Sequence, residues 1–292
     1  MNRIALTVCL ALLASVPAFA GHVLLYPTAA RTLPNLYGGQ DWTLSRAEDR
    51  AKHADGVRFE KTTGGPFSSG DVAYAAVSTK PQPGYWHARI RGVKPGRTYL
   101  AGTWLRFANA KILLWYGAQT AAEHKAVEER LYYMNGFNPA LKPYFNEALL
   151  RRLGGDPETW RCMYRLVSFP MDLREDTVTV EHGLYLAAGD IVFSEPFFVD
   201  VTDGPRTLDV DIRGAKPIRG LSVASTDLRD VRWERTFERP VTDFKCTLPP
   251  EIDAFRGQDK DSPKGHTLTI RYADGSVETV SAPLDNVFKR RS

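Results

Sequence analysis

The stretch Gly84–Gly117, GYWHARIRGVKPGRTYLAGTWLRFANAKILLWYG, decides the fold class. Across Tyr85–Val93, apolar residues alternate with His and Arg, which predicts a strand with one buried and one solvated face. The turn residues Lys94–Arg97 follow, and the β-forming run Thr98–Ala108 predicts the returning strand of an antiparallel hairpin. The run Lys111–Tyr116 is too short and too apolar for an amphipathic helix, so it predicts a strand buried on both faces. The chain is therefore organised around a β-sheet.

The first twenty residues have the pattern of a secretory signal peptide. Arg3 precedes the apolar run Ile4–Val16, and Ala18–Ala20 forms a small-x-small cleavage pattern. We expect cleavage near Ala20 and export of the mature chain to the periplasm or the extracellular space. No stretch reaches the roughly 20 apolar residues that a membrane-spanning helix needs, so no membrane span is predicted.

The charge content of the chain argues against a nucleic-acid partner. The chain has 38 Lys and Arg against 34 Asp and Glu, dispersed along 292 residues. This excess is too small to predict a nucleic-acid interface.

Two cysteines, Cys162 and Cys246, remain after export. An oxidising compartment permits a disulfide between them, and two separately buried thiols are the alternative, so both states stay open.

Strand-like patterns divide the chain into two predicted domains after the signal peptide at 1–20. About eight short strands between Val57 and Val201 predict a jelly-roll β-sandwich over residues 21–203. About six shorter strands predict a smaller immunoglobulin-like β-sandwich over residues 204–292. Within the second domain, Ala273–Ser276 contains Asp-Gly, which predicts a two-residue hairpin turn. The fold class is therefore all-β.

A helical insertion is predicted within the first domain, at about 118–158. Apolar residues recur there at helical spacing among charged residues, at Ala121, Val127, Leu131 and Met134. A second helical stretch is predicted around Pro143–Leu153, before two glycines that would stop it.

Three passages of the first domain resemble the carbohydrate-binding modules of the galactose-binding-like jelly-roll superfold, such as the xylan- and glucan-binding modules attached to glycoside hydrolases. They are Gly92–Trp104, Thr159–Pro170 and Val178–Asp200. The resemblance covers roughly residues 36–203 and implies a jelly roll with a sugar ligand. Because this family often carries a structural calcium, the resemblance also indicates Glu60 and Asp200, near the first and last strands, as ligands; no other cofactor is expected.

Sugar binding requires flat aromatic rings that stack on pyranose rings, flanked by hydrogen-bonding side chains. The possible polar partners are Arg89, Arg91, Arg106, Asn109, Gln119 and Asn135. Most aromatic residues of a sandwich belong to its core. The candidates for binding are those at a turn, on the predicted insertion or beside it, namely Tyr85, Trp115, Tyr116, Tyr132 and Tyr133. We expect the site where the two aromatic residues of the third strand meet the two of the insertion.

These features favour an exported, non-catalytic protein that binds a poly- or oligosaccharide. The sequence contains no nucleophile elbow, zinc-binding helix motif, phosphate-binding glycine loop or plausible catalytic triad. One alternative is a structural or assembly protein of the cell envelope that acts through protein contacts. A second alternative is a glycoside hydrolase with dispersed carboxylates, which needs no local motif.

Overall fold

The computed structural model describes residues 22–38, 43–44, 57–108, 111–119, 126–134, 160–169, 171, 173, 176–225, 232–255 and 265–282. In this part the chain forms fifteen strands and one short helix, α1 (Ala29–Thr32). All strand pairs are antiparallel. The all-β fold class is therefore confirmed. None of the described helices has the length and hydropathy of a membrane-spanning segment.

Nine strands precede residue 204 and six follow it. The first nine are β1 (His22–Pro27), β2 (Thr43–Leu44), β3 (Val57–Thr63), β4 (Val72–Arg91), β5 (Thr98–Ala108), β6 (Lys111–Gln119), β7 (Ala126–Met134), β8 (Arg161–Ser168) and β9 (Thr177–Asp200). The last six are β10 (Leu208–Arg213), β11 (Ile218–Ser225), β12 (Arg232–Val241), β13 (Phe244–Thr247), β14 (His266–Tyr272) and β15 (Val277–Ala282).

Two long strands, β4 and β9, form the frame of the first sandwich. They pair from Ala73 opposite Ser194 to Arg91 opposite Thr177, with register shifts near the middle. Around the first half of β4, the strand order β3–β4–β9–β5–β8 makes sheet I. Around the second half, the order β2–β4–β9–β6–β7 makes sheet II.

Sheets I and II face each other because β4 and β9 each fold back on themselves. Trp86, in the second half of β4, contacts Tyr74 in the first half, with ring centroids 5.1 Å apart. His182 and Phe193 make the equivalent contact within β9, at 5.1 Å. The jelly-roll core between the sheets includes Tyr74, Trp86, Ile90, Tyr99, Leu105, Val167, Val180, Ile191 and Phe198. The predicted jelly-roll sandwich is confirmed.

Sheet I is buried on both faces. In β5, Tyr99 belongs to the jelly-roll core, whereas its neighbour Leu100 belongs to a second core on the opposite face. In β8, Met163 and Tyr164 divide in the same way. This shared core also contains residues of the C-terminal strands, among them Val210, Ile212, Leu221, Val223, Leu268, Ile270 and Val280.

The C-terminal strands form two facing sheets, ordered β1–β10–β13 and β12–β11–β14–β15. The contact between Phe237 of β12 and Phe244 of β13, with ring centroids 5.3 Å apart, shows that the two sheets face each other. The three-stranded sheet includes β1, which pairs with β10 from His22 opposite Arg213 to Pro27 opposite Leu208. This pairing crosses the predicted domain boundary at 203/204. The immunoglobulin-like character of this part stays a prediction.

The predicted helix in the insertion is wrong where the structure describes it. Ala126–Met134 is strand β7, paired with β6 from Gln119 opposite Ala126 to Lys111 opposite Met134. Val127 and Leu131 are four residues apart, and this even spacing keeps them on one face of a strand as well as one face of a helix. The pairing with β6 is a non-local interaction that overrides the local preference. The second predicted helix, at 143–153, lies outside the described residues.

The two cysteines are free thiols. Cys162 lies in β8 and is buried in the shared core, whereas Cys246 lies in β13 and is half-buried. Burial raises the pKa of the Cys162 thiol well above its usual value.

Candidate ligand-binding face

One face of β9 in sheet II lies in the jelly-roll core. Val178, Val180 and His182 are completely buried there. Because successive residues of a strand alternate between faces, Thr179 and Glu181 occupy positions on the opposite side. We call that side the outer face of sheet II.

The strand register assigns three rows of positions to the outer face of sheet II. Each row crosses β4, β9, β6 and β7 in that order. The first row is Tyr85, Gly183, Leu113 and Tyr132; the second is His87, Glu181, Trp115 and Arg130; the third is Arg89, Thr179, Gly117 and Glu128.

Three of the five predicted sugar-binding positions share this face: Tyr85, Trp115 and Tyr132. With strands about 4.8 Å apart and a rise of about 3.4 Å per residue, the Tyr85 and Trp115 positions are about 12 Å apart. The Trp115 and Tyr132 positions are about 8 Å apart by the same geometry. The three positions form a triangle that extends across four strands, because Tyr85 and Tyr132 share the first row and Trp115 lies in the second.

The other two predicted positions fall on the side of the jelly-roll core. Tyr116 pairs with Val180. Tyr133 pairs with Ile112, which pairs with Leu184, two residues from the buried His182 and therefore on the same face of β9. The register therefore separates the four aromatic positions that the sequence predicts as one site. The side chains of all five positions lie outside the described part of the structure, so their roles stay predictions.

Polar side chains of β4 accompany the aromatic positions. Arg89 and Arg91 are exposed and His87 is half-buried, whereas the intervening Ala88 and Ile90 are buried. The sequence of β9 also indicates a polar face, because polar residues alternate with Val178 and Val180 in TVTVE. That signal assigns no partner strand, so sequence reasoning missed Thr179 and Glu181.

The outer face of sheet I is buried where the structure describes its side chains. Its outward positions include Leu100, Trp104, Tyr164 and Phe197, and all four are buried in the shared core. The Trp104 ring packs 4.9 Å from Phe67 and 5.1 Å from Phe197, measured between centroids. The C-terminal sandwich therefore covers one of the two broad faces of the jelly roll.

The structure does not bring the two predicted calcium ligands together. Glu60 pairs with Ala75, which pairs with Val192, whereas Asp200 lies roughly 25 Å further along β9 at about 3.3 Å per residue. Each carboxylate contacts an arginine: Glu60 lies 3.0 Å from Arg58, and Asp200 lies 2.8 Å from Arg97. Within the described ranges, no three His, Cys, Asp or Glu side chains group as metal ligands.

Hydrogen bonds from Arg97 and Thr202 determine the direction in which the pKa of Asp200 shifts. Burial alone would raise the pKa of its carboxyl group, but hydrogen bonds from the Arg97 side chain and from Thr202 outweigh burial and lower the pKa. The Arg97 guanidinium also donates to Asp203, at 3.2 Å. This cluster connects the start of β5 with the end of β9.

Comparison with known proteins identifies several similar solved structures. No family model and no curated protein matches the chain. Among similar structures, the active domain of tailspike protein 4 from bacteriophage CBA120 is 13% identical with a TM-score of 0.38. That match covers 55% of this chain and 19% of the tailspike chain, so this chain spans about a fifth of it.

Carbohydrate-binding modules are also among the similar structures, as the sequence resemblance predicts. A CBM4 module is 12% identical, with a TM-score of 0.36 over 57% of this chain and 93% of the module. The CBM22-1 xylan-binding domain of Paenibacillus barcinonensis Xyn10C is 10% identical, with a TM-score of 0.36 over 64% of this chain and 99% of the domain. At these identities, the function must be inferred from this chain's own residues.

Proposed function

We propose that this protein is exported and binds a poly- or oligosaccharide on the outer face of sheet II. The observation that carries the proposal is the strand register, which assigns Tyr85, Trp115 and Tyr132 to one face. Aromatic rings at these positions would stack on the apolar C–H faces of successive sugar rings. Three positions that spread over about 14 Å, the width of three strand intervals, suit a chain of sugars better than a single sugar.

Polar side chains on the same face would provide the hydrogen bonds. His87 and Arg89 of β4 lie in the same rows as Trp115 and Gly117, and both can donate to sugar hydroxyl groups. Ligand sites commonly combine aromatic surface with a few such polar groups. Within the described residues, the shared core buries the outer face of sheet I, which supports the choice of sheet II.

The proposal is tested by measuring glycan binding of the mature protein by affinity electrophoresis and calorimetry against neutral and acidic polysaccharides. We expect Trp115→Ala to weaken binding about 10- to 100-fold, as loss of one buried aromatic contact of about 1.5–3 kcal/mol implies. Trp233→Ala is the matched control, because Trp233 is half-buried in β12 of the other sandwich. Circular dichroism checks that both variants fold.

Failure to bind any polysaccharide would overturn the proposal, as would equal losses in the two tryptophan variants. The two alternatives, a protein of envelope assembly and a glycoside hydrolase, stay predictions. Light scattering with envelope extracts and assays for released reducing sugar test them directly.

A further inference from the structure

We propose that the glycan bound on the outer face of sheet II is anionic, and that Arg89 and Arg91 bind its carboxylate or sulfate groups. This inference rests on the proposed function and specifies the class of sugar. It follows from the positions of the two arginines on β4 and from the neutral residues opposite them on β9.

Arg89 and Arg91 are neighbours on one face of β4. They are two residues apart, so they share the outer face of sheet II at a separation of about 7 Å. Both side chains are exposed. Across the strand pair, their partners on β9 are the neutral residues Thr179 and Thr177.

In the described part of the chain, the two guanidinium groups lack the carboxylate partners that several other arginines have. Arg31, Arg97 and Arg213 lie 2.7 to 2.9 Å from Glu195, Asp200 and Asp211 respectively. Within the residues that the structure describes, neither the Arg89 side chain nor the Arg91 side chain has a hydrogen bond or an ion pair.

Two adjacent unpaired cations repel each other, and an anion bound between them relieves that repulsion. A guanidinium group presents two parallel N–H donors that match the geometry of a carboxylate, and it pairs well with sulfate-like anions too. Where the bound chain crosses β4, an anionic group on one of its sugars would lie between the two guanidinium groups. Aromatic stacking at the Trp115 position would hold the rings of the same chain.

Within the described residues, the acidic residues on or near the outer face of sheet II form no ion pair with Arg89 or Arg91. Asp176, beside the end of β4, accepts a hydrogen bond from the Thr177 hydroxyl at 2.9 Å. Glu181 occupies the row of His87, and Glu128 lies three strands from Arg89 in its row. The Arg130 position adds another positive charge to the row of Trp115. Positive residues therefore predominate along β4.

The test compares polymers that share a backbone and differ in charge. Polygalacturonate is compared with its fully methyl-esterified form, and dextran sulfate with dextran. We expect the mature protein to bind at least one charged polymer about tenfold more tightly than its neutral counterpart, and added NaCl to weaken that binding. Preference for polygalacturonate identifies carboxylate groups, and preference for dextran sulfate identifies sulfate groups.

The decisive variant is the double substitution Arg89→Gln with Arg91→Gln. We expect it to reduce binding of the preferred charged polymer about tenfold or more, because charge-assisted hydrogen bonds are lost. The matched control is Arg239→Gln with Arg271→Gln, which removes the same charge from exposed positions of β12 and β14. We expect this control to bind like the wild type.

Equal binding of charged and neutral polymers overturns the inference, and so do equal losses in the two double variants. If neutral glycans bind and Trp115→Ala weakens that binding, the proposed function stands while the anionic ligand is rejected. If the protein binds no polymer of either kind, both are rejected.

Discussion

His182 shows how burial alone sets the chemistry of one residue. Its side chain is completely buried in β9, and its ring lies 5.1 Å from that of Phe193. Burial lowers the pKa of His182 from 6.5 to about 3. Between these values the unfolded chain takes up a proton that the folded protein does not. The free energy of unfolding must therefore fall as the pH drops from about 6.5 toward 3.

This linkage predicts a measurable loss of stability in mild acid. For His182 alone, lowering the pH from 7 to 5 should reduce the free energy of unfolding by about 2 kcal/mol, since the limiting slope is about 1.4 kcal/mol per pH unit. Urea unfolding at both pH values should show that His182→Leu loses about 2 kcal/mol less than the wild type. His87→Leu, at a half-buried position of β4, is the control. The same pH dependence in wild type and His182→Leu would contradict this account.

At the scale of single strands, Gly102 shows what close packing demands of the sequence. A Cβ atom at this position of β5 would overlap the Met163 carbonyl oxygen of β8 and the Phe197 ring. Neither group can move freely, because one is backbone and the other is completely packed. Only glycine therefore fits between β8 and the aromatic cluster of the shared core.

We expect Gly102→Ala to lower the free energy of unfolding by about 1–3 kcal/mol or more, as overpacked cores do. Gly70→Ala provides the control, because the nearest atom to its added Cβ would be Ser68 Oγ at 3.6 Å, an ordinary contact. Urea unfolding of both variants measures the difference. Similar stabilities would mean that β5 and β8 can separate slightly at no cost.

The register of β6 and β7 makes a prediction about two adjacent tyrosines. Tyr132 is assigned to the outer face of sheet II and Tyr133 to the side of the jelly-roll core. We expect Tyr132→Ala to weaken glycan binding with little effect on stability, and Tyr133→Ala to lower the free energy of unfolding by about 2 kcal/mol or more. Calorimetric binding and urea unfolding of the same two proteins check both parts. A reversed result would require a register shifted by one residue.

Local patterns predicted the strands, and they could not predict the partners. The alternation in Tyr85–Val93 and the run Thr98–Ala108 correspond to the end of β4 and to β5. A turn at Asp-Gly is present between β14 and β15, where Gly275 has a φ of 84°. The predicted two-residue turn is wrong, because the connection is the four residues Ala273–Ser276 and Asp274 does not have the positive φ that such a turn requires. The pairing of β4 with β9 and of β1 with β10 joins residues far apart in sequence, and hydrophobic period carries no information about such contacts. For the same reason, the sequence grouped five aromatic positions that the register divides.

At the scale of the whole molecule, the shared core ties the jelly roll to the C-terminal sandwich. Tyr26 of β1 contacts both Phe67 and Trp104, with ring centroids 5.7 Å apart in each case. Arg31 lies over the Phe67 ring at 4.0 Å and pairs with Glu195 of β9 at 2.9 Å. Glu195 has a positive φ of 48°, an unusual conformation that the surrounding contacts must maintain. The junction is therefore a packed interface rather than a linker.

Such a junction should make the two sandwiches unfold together. We expect the mature protein to show a single thermal transition, coincident by far-ultraviolet circular dichroism and tryptophan fluorescence, because the same buried residues stabilise both parts. Phe67→Ala should lower the free energy of unfolding by about 2–3 kcal/mol and shift the whole transition. The control is Val277→Ala, since Val277 is 61% exposed and should leave the transition unchanged.

The predicted division at 203/204 gives the opposing expectation. If residues 204–292 formed an independent domain, two transitions would appear, Phe67→Ala would shift only one of them, and the isolated fragment would have native strand content. We expect that fragment to be unfolded, because it lacks β1 and the covering residues of sheet I and therefore exposes part of the shared core to water. Adding β1 alone through a flexible linker should restore the sheet pairing of β10 but leave the sheet I side of that core uncovered. A fragment with β1 should consequently remain less stable than the full chain, and equal stability would show that the jelly roll contributes nothing to the C-terminal sandwich.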